Sequence, residues 1–128
     1  MNILQKNKEI VIRFNKEGIE KGNIEVLNGL MDKQFINRTA PSDAPNDPES
    51  MIHFFNQVLR PAFPDLQITI NDQIAEGDKV TTRKTIHATH TGTFMGILAT
   101  GRAVVINIID IVRLKDGKYL EHWGMNNI

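Results

Sequence analysis

At Leu66 the hydrophobic rhythm of the chain changes, and that change limits the possible folds more than any other feature. Before it, apolar residues recur at three- and four-residue spacing; after it, they alternate. Ile3, Leu4, Ile10, Val11, Phe14, Gly18 and Ile19 form a helical stripe with Lys and Glu between them. "KGN" stops this helix: Gly22 suits the left-handed C-terminal position, and Asn23 can cap a shorter helix over "IEVLNGLMD". "QFINRT" reads as a brief extended piece. "APSDAPNDPES" is a proline-rich surface loop that closes on a helix start, with Asp47 as cap and Pro48 in the first helical position. Met51, Ile52, Phe55, Val58 and Leu59 give that third helix its apolar face, and "RPAFPD" ends it.

Beyond the change, Leu66, Ile68, Ile70 and Ile74 alternate with polar residues in a first long strand. "AEGDK" is a turn and "VTTRKTIHATH" a β-branched second strand. "TGTFMGILATG" is a glycine-punctuated loop before "RAVVINIIDIVRL", a third strand apolar on both faces and therefore expected to be central and covered twice. "KDGK" marks a hairpin, and "YLEHWGMNNI" is the last strand. Helices followed by an antiparallel meander define an α+β class, with the helices on one sheet face. The second cover for the third strand is either a sheet curling around a pocket or another subunit.

One domain over residues 1–128 accommodates all of this, since 128 residues build one core but not two. The 15 basic and 15 acidic residues cancel, which argues against a nucleic-acid or polybasic membrane surface. Absence of cysteine excludes disulfides, thiolate catalysis and cysteine-based zinc sites. "MNILQKNKEIVIRF" breaks its apolar residues with charge, unlike a signal peptide or membrane span, so a cytoplasmic protein is expected.

The chemistry-bearing candidates are few. His87 and His90 sit three apart, an odd spacing that points strand side chains to opposite faces, and no acidic cluster joins them; no metal is expected. Neither "GTFMG" nor "TGR" opens a helix after a strand, so neither is a phosphate loop, and no Gly-x-Ser-x-Gly element is present. Arg83 and His87 share one face of the second strand; Asn107 and Asp110 interrupt the third, and Arg113 closes it. Each taken singly fits a cross-strand ion pair or solvated face better than a site. Register decides which can meet. A two-residue Asp-Gly loop sets Leu114 opposite Tyr119 and Asp110 opposite Trp123. A bulge at Gly117 instead places Arg113, Glu121, Trp123 and Asn127 on one face, and only that register gathers a pocket. Both are compatible with the sequence.

"FPDLQITINDQIAEGDKVTTR", "THTGTFMGILATGR" and "IDIVRLKDGKYLEHW", in this order, resemble the SnoaL-like polyketide cyclase family, part of the nuclear transport factor 2-like superfamily that includes ester cyclase-like proteins. The resemblance covers most of the stretch from Phe63 to Trp123. It implies a cone-shaped α+β barrel, in which N-terminal helices pack on a curved antiparallel sheet and enclose a deep apolar pocket. It also implies a homo-oligomer, a dimer, built through the outer sheet face. Family cyclases perform an intramolecular aldol condensation without metal or organic cofactor, using an acidic residue four positions after the tryptophan of "EHW". A carboxylate in an apolar pocket is a fitting base, because burial raises its pKa toward working pH.

Here that position is Asn127, an amide that hydrogen-bonds but does not titrate. The resemblance therefore makes Asn127 and Arg113 candidate polarising donors, with Trp123, Phe35, Asn37 and Arg83 as substrate-binding residues. The base must be another group: His90 first, since its ordinary pKa lies nearest neutral, or His122, Asp110 or Glu121. Two functions follow as expectations. One is a cyclase, isomerase, dehydratase or hydrolase acting on a small apolar carbonyl compound. The other is a non-catalytic module holding a hydrophobic ligand in the same pocket. A purely structural role predicts no cavity of roughly 300 Å³ or more with convergent polar groups. The loop from Ala40 to Pro48 is either a lid or a connection.

Overall fold

Local signals set the helices. In the computed structural model, which describes residues 1–127, helix α1 spans Ile3–Arg13 and Asn2 caps it by accepting from the Gln5 amide at 2.9 Å. The helix continues as a π-helical turn, Phe14–Glu20, that buries Phe14, Asn15, Gly18 and Ile19. Gly22 ends it at φ +68°, the left-handed conformation that glycine adopts freely. The guanidinium of Arg60 donates to the carbonyls of Ile19 and Glu20, two of the groups a helix end leaves unpaired. Asn23 caps α2 (Ile24–Gly29) through the Val26 amide at 3.2 Å. Asp47 caps α3 (Pro48–His53), which also runs on in π geometry, Phe54–Leu59, before the single turn α4 (Arg60–Ala62).

The strands are β1 (Met31–Asn37), β2 (Gln67–Glu76), β3 (Lys79–Thr89), β4 (Ala103–Lys115) and β5 (Lys118–Asn126). They form one five-stranded sheet in the order β1-β5-β4-β3-β2. The meander from β2 to β5 is antiparallel, as its alternation requires, but β1 adds to β5 in parallel, so the sheet is mixed. Met31, expected at the end of the second helix, is already strand. Ile128, expected in the last strand, lies outside the described residues.

The β4–β5 hairpin combines both registers that the sequence allows. Asp116 and Gly117 both have positive φ, +51° and +77°, giving the two-residue loop that pairs Leu114 with Tyr119. One residue further on, Leu120 bulges and the register shifts, so that Arg113 pairs with Glu121 and Ile111 with Trp123. Asp110 thereby comes to lie opposite Gly124, not Trp123.

The helices cover the inner sheet face. Val11, Phe14 and Leu27 meet Ile68, Val80, Ile86, Ile106, Val112 and Tyr119 there, and Phe14 stacks on Tyr119 with ring centroids 4.0 Å apart. Among the described residues nothing covers the outer face of β4: Val105 and Ile109 are each 54% exposed. The described residues therefore supply one of the two covers expected for this strand.

Gly92 fixes the loop after β3 against α4. Its amide and that of Thr91 donate to the Ala62 carbonyl at 3.1 Å, and a Cβ on it would stand 2.2 Å from the Pro61 carbonyl oxygen. Backbone cannot yield as a side-chain tip can. Gly92→Ala should therefore destabilise the protein by about 3 kcal/mol, the upper end of the usual overpacking range, read as a lower midpoint in urea at unchanged slope.

Candidate active site

Strand alternation puts Lys84 of β3, Asp110 of β4 and His122 of β5 on the inner face, beneath the two π-helical segments. Asp110 pairs with Thr82 on one side and Gly124 on the other, so Lys84 and His122 reach it diagonally. Lys84 Nζ lies 3.1 Å from Asp110 Oδ2, with both side chains less than one-tenth exposed. His122 Nε2 stands 3.5 Å from the same oxygen. Gly124 makes this possible: a Cβ there would come within 2.9 Å of the His122 ring carbon.

Residues from other elements hold the cluster. Asn15, in the first π-helical turn, accepts from Lys84 Nζ through Oδ1 and donates to the Val11 carbonyl at 2.9 Å. Asn37, at the end of β1, presents Oδ1 to His122 Nδ1 at 3.2 Å. That oxygen also accepts from the amide and hydroxyl of Thr39, which fixes the orientation of the Asn37 amide. His122 Nδ1 is therefore the donating nitrogen, and Nε2 faces Asp110.

Electrostatics follow from burial and charge. Burial pushes the Asp110 carboxyl up, but the Lys84 ammonium and the hydrogen bond and charge of His122 outweigh it and hold it below the ordinary 3.8. Burial first, and then the charge of Asp110, raise the Tyr119 phenol well above 10.0, so it stays neutral. Lys84, Asp110, Tyr119 and His122, with Phe14, Ile19, Met51 and Phe55, line a small cavity of about 20 Å³. It admits water but no organic ring, so the deep pocket expected from the sequence is not open in this conformation.

The other sequence candidates fall in three places. Phe35 is buried in the core, its ring 6.5 Å from that of Tyr119. His90 stands just past the end of β3, on the inner side, roughly 20 Å from Lys84. There its Nδ1 meets Thr100 Oγ1 at 3.2 Å and its ring lies 5.4 Å from that of Phe63. Arg113, Trp123 and Asn127 share a face as one register required, and Arg83 of β3 lies on it too, but it is the outer one. Arg113 bridges Asp78 and Glu121, Arg83 pairs with Asp72, and Lys79 sits 5.9 Å from the Trp123 ring centre. Asn127 Oδ1 accepts from the Asn107 amide at 2.8 Å, so the amide secures the end of β5 against β4. The outer face is hollowed into an open groove of about 900 Å³ whose walls include Ile109, Ile111 and Met125, and which brings the candidates Arg83, Trp123 and Asn127 together.

Lys84 and Asn15 escaped sequence reasoning. Each has a signal in retrospect: Lys84 interrupts the buried alternation Val80, Thr82, Ile86, Ala88, and Asn15 interrupts the apolar stripe of α1. Among the described residues, no group of three or more metal-ligating side chains is close enough to hold an ion.

The family model of SnoaL-like polyketide cyclases matches residues 9–127. The chain belongs to that family. Solved structures of other proteins share its fold. A proposed SnoaL-like polyketide cyclase from Jannaschia sp. CCS1 is 26% identical, with a TM-score of 0.87 over 99% of this chain and 89% of that one. AclR, a proposed hydroxylase from Streptomyces galilaeus, is 27% identical, with a TM-score of 0.83 over 97% and 76%. IdmH, a proposed polyketide cyclase from Streptomyces antibioticus, is 25% identical, with a TM-score of 0.81 over 94% and 91%. No functionally curated protein matches the chain. Helices on one face of a curved five-stranded sheet are the SnoaL-like cone, and the Asp110 cluster lies inside it.

Proposed function

We propose that this SnoaL-like protein moves protons on a small, largely apolar carbonyl compound, in a cyclisation or isomerisation that needs no metal or organic cofactor. His122 Nε2 is the group that takes and returns the proton. The observation that carries this reading is the buried contact of His122 with Asp110, with Nδ1 committed to Asn37. The ring is thereby held in one orientation and tautomer, and a carboxylate stands ready to stabilise its charged form. Asp110 and Asn37 are positioning residues in this scheme. Arg113 and Asn127 act from the outer face, on strand geometry rather than on substrate.

The cavity is too small for an organic ring, so substrate entry requires the π-helical segments carrying Phe14, Ile19 and Phe55 to move apart. π-Helical turns are frequent at functional sites and are locally less regular than α-helix. The small cavity also favours a second reading, a module that opens for a hydrophobic ligand without chemistry. Deuterium uptake at the α-carbon of small ketones, followed by NMR, separates the two. Uptake accelerated by the protein and lost in His122→Ala supports proton transfer. Ligand-induced thermal stabilisation without uptake supports binding alone.

We also propose a homodimer through the outer face, where Val105, Ile109, Ile111 and Met125 are exposed side by side on β4 and β5. Ile109→Glu should convert a particle of about twice 14.5 kDa to a monomer in light scattering. An unchanged mass for the variant, or a monomeric wild type, would refute the dimer. Among the described residues, no helix is long and apolar enough to cross a membrane. A cytoplasmic location fits a chain without cysteine.

A further inference from the structure

Asp110 divides its two oxygens unequally. Oδ2 faces Lys84 Nζ at 3.1 Å and His122 Nε2 at 3.5 Å, whereas Oδ1 is buried and meets no donor among the described residues. Buried carboxylate oxygens are rarely left so, because each has exchanged strong hydration for nothing. Lys84 shows the complementary imbalance. Its ammonium carries three N–H donors, and its named acceptors are Asn15 Oδ1 and Asp110 Oδ2. One acceptor site and one donor are thus in surplus on neighbouring side chains, and both residues border the same cavity.

The chemistry of the occupant follows from that pair. A carbonyl oxygen accepts from Lys84 but offers nothing to Asp110. An ammonium donates to Asp110 but repels Lys84. A hydroxyl-type oxygen does both. We infer that the inner cavity is a binding site for one such oxygen, donating to Asp110 Oδ1 and accepting from Lys84 Nζ. In the resting protein the oxygen is that of a water, which the cavity of about 20 Å³ accommodates. In the open form it is the enol hydroxyl of a β-dicarbonyl compound, held by the same two contacts. The enol half rests on the proton-transfer reading of His122; the water half does not.

The test is a crystal structure of the unaltered protein at a resolution that shows ordered water, without ligand and after soaking with acetylacetone. The expected result is an oxygen within about 2.6–3.2 Å of both Asp110 Oδ1 and Lys84 Nζ, replaced on soaking by an oxygen of the probe. No oxygen bridging the two groups overturns the inference. A bridging water that persists while acetylacetone binds elsewhere or not at all overturns its enol half. A solution measurement guards against a lattice effect: water-oxygen relaxation dispersion should show a long-lived internal water that disappears in Lys84→Met. The same water signal in Lys84→Met and wild type counts against the site. Neither experiment depends on turnover, so failure here and failure of His122→Ala to slow exchange are distinguishable.

Discussion

Asp110→Ala should destabilise the protein by about 3–5 kcal/mol, because it leaves the Lys84 ammonium buried without its counter-charge. The magnitude belongs to the stranded charge rather than to the ion pair. The double variant Asp110→Leu, Lys84→Met should accordingly recover most of the loss, since a well-packed apolar pair replaces a buried ionic one at little net cost. Urea unfolding of the three proteins measures this, and a single variant as stable as wild type would show that Lys84 reaches water or another partner. The pH dependence has a definite sign. Asp110 is held below its ordinary 3.8 in the folded protein, so its contribution is fully present above pH 3.8 and is lost as pH falls through the lower folded value. Asp110→Asn should flatten that acid limb of the stability curve and leave its neutral region without a slope of this origin.

His122→Ala should lower protein-accelerated α-proton exchange by roughly 10²–10⁴-fold, the usual contribution of a positioned acid–base group. The imidazole is seated by Asn37 at Nδ1 and by the missing side chain of Gly124, and its Nε2 faces Asp110. Asn37→Ala should therefore act through His122, lowering the rate less than His122→Ala and altering the pH profile rather than substrate affinity. His90→Ala should leave exchange unchanged, since His90 stands just past the end of β3 beside Phe63. A larger effect from His90 than from His122 would overturn the assignment of the base.

Much of the fold is written in short-range signals. Asn23 and Asp47 cap their helices as their side chains allow, Gly22 takes the left-handed turn, and Asp116-Gly117 makes the two-residue hairpin loop. These features depend on a few neighbouring residues, so sequence reasoning reaches them. The family resemblance on Phe63 to Trp123 was equally legible, and it carried the cone with it. The candidate site was legible only in part. His122 and Asp110 stood among the possible bases, while Arg113, Trp123 and Asn127 were expected at the pocket and lie on the outer face.

One residue accounts for that inversion. Strand side chains alternate with a period of two, so the bulge at Leu120 decides which residues of β5 point inward. No local preference fixes a bulge of this kind; it is set by the packing of Tyr119 under Phe14 together with the pairing of Arg113 to Glu121. The parallel attachment of β1 is likewise invisible to periodicity, yet it brings Asn37 to His122 across 85 residues of chain. Lys84 meets Asn15 across 69. By itself the sequence determined the helices, the meander, the caps and the family, because each rests on neighbouring residues or on a pattern held along the chain. Only the tertiary structure decided which polar side chains meet inside the cone, because those meetings depend on strand register and on contacts between distant segments.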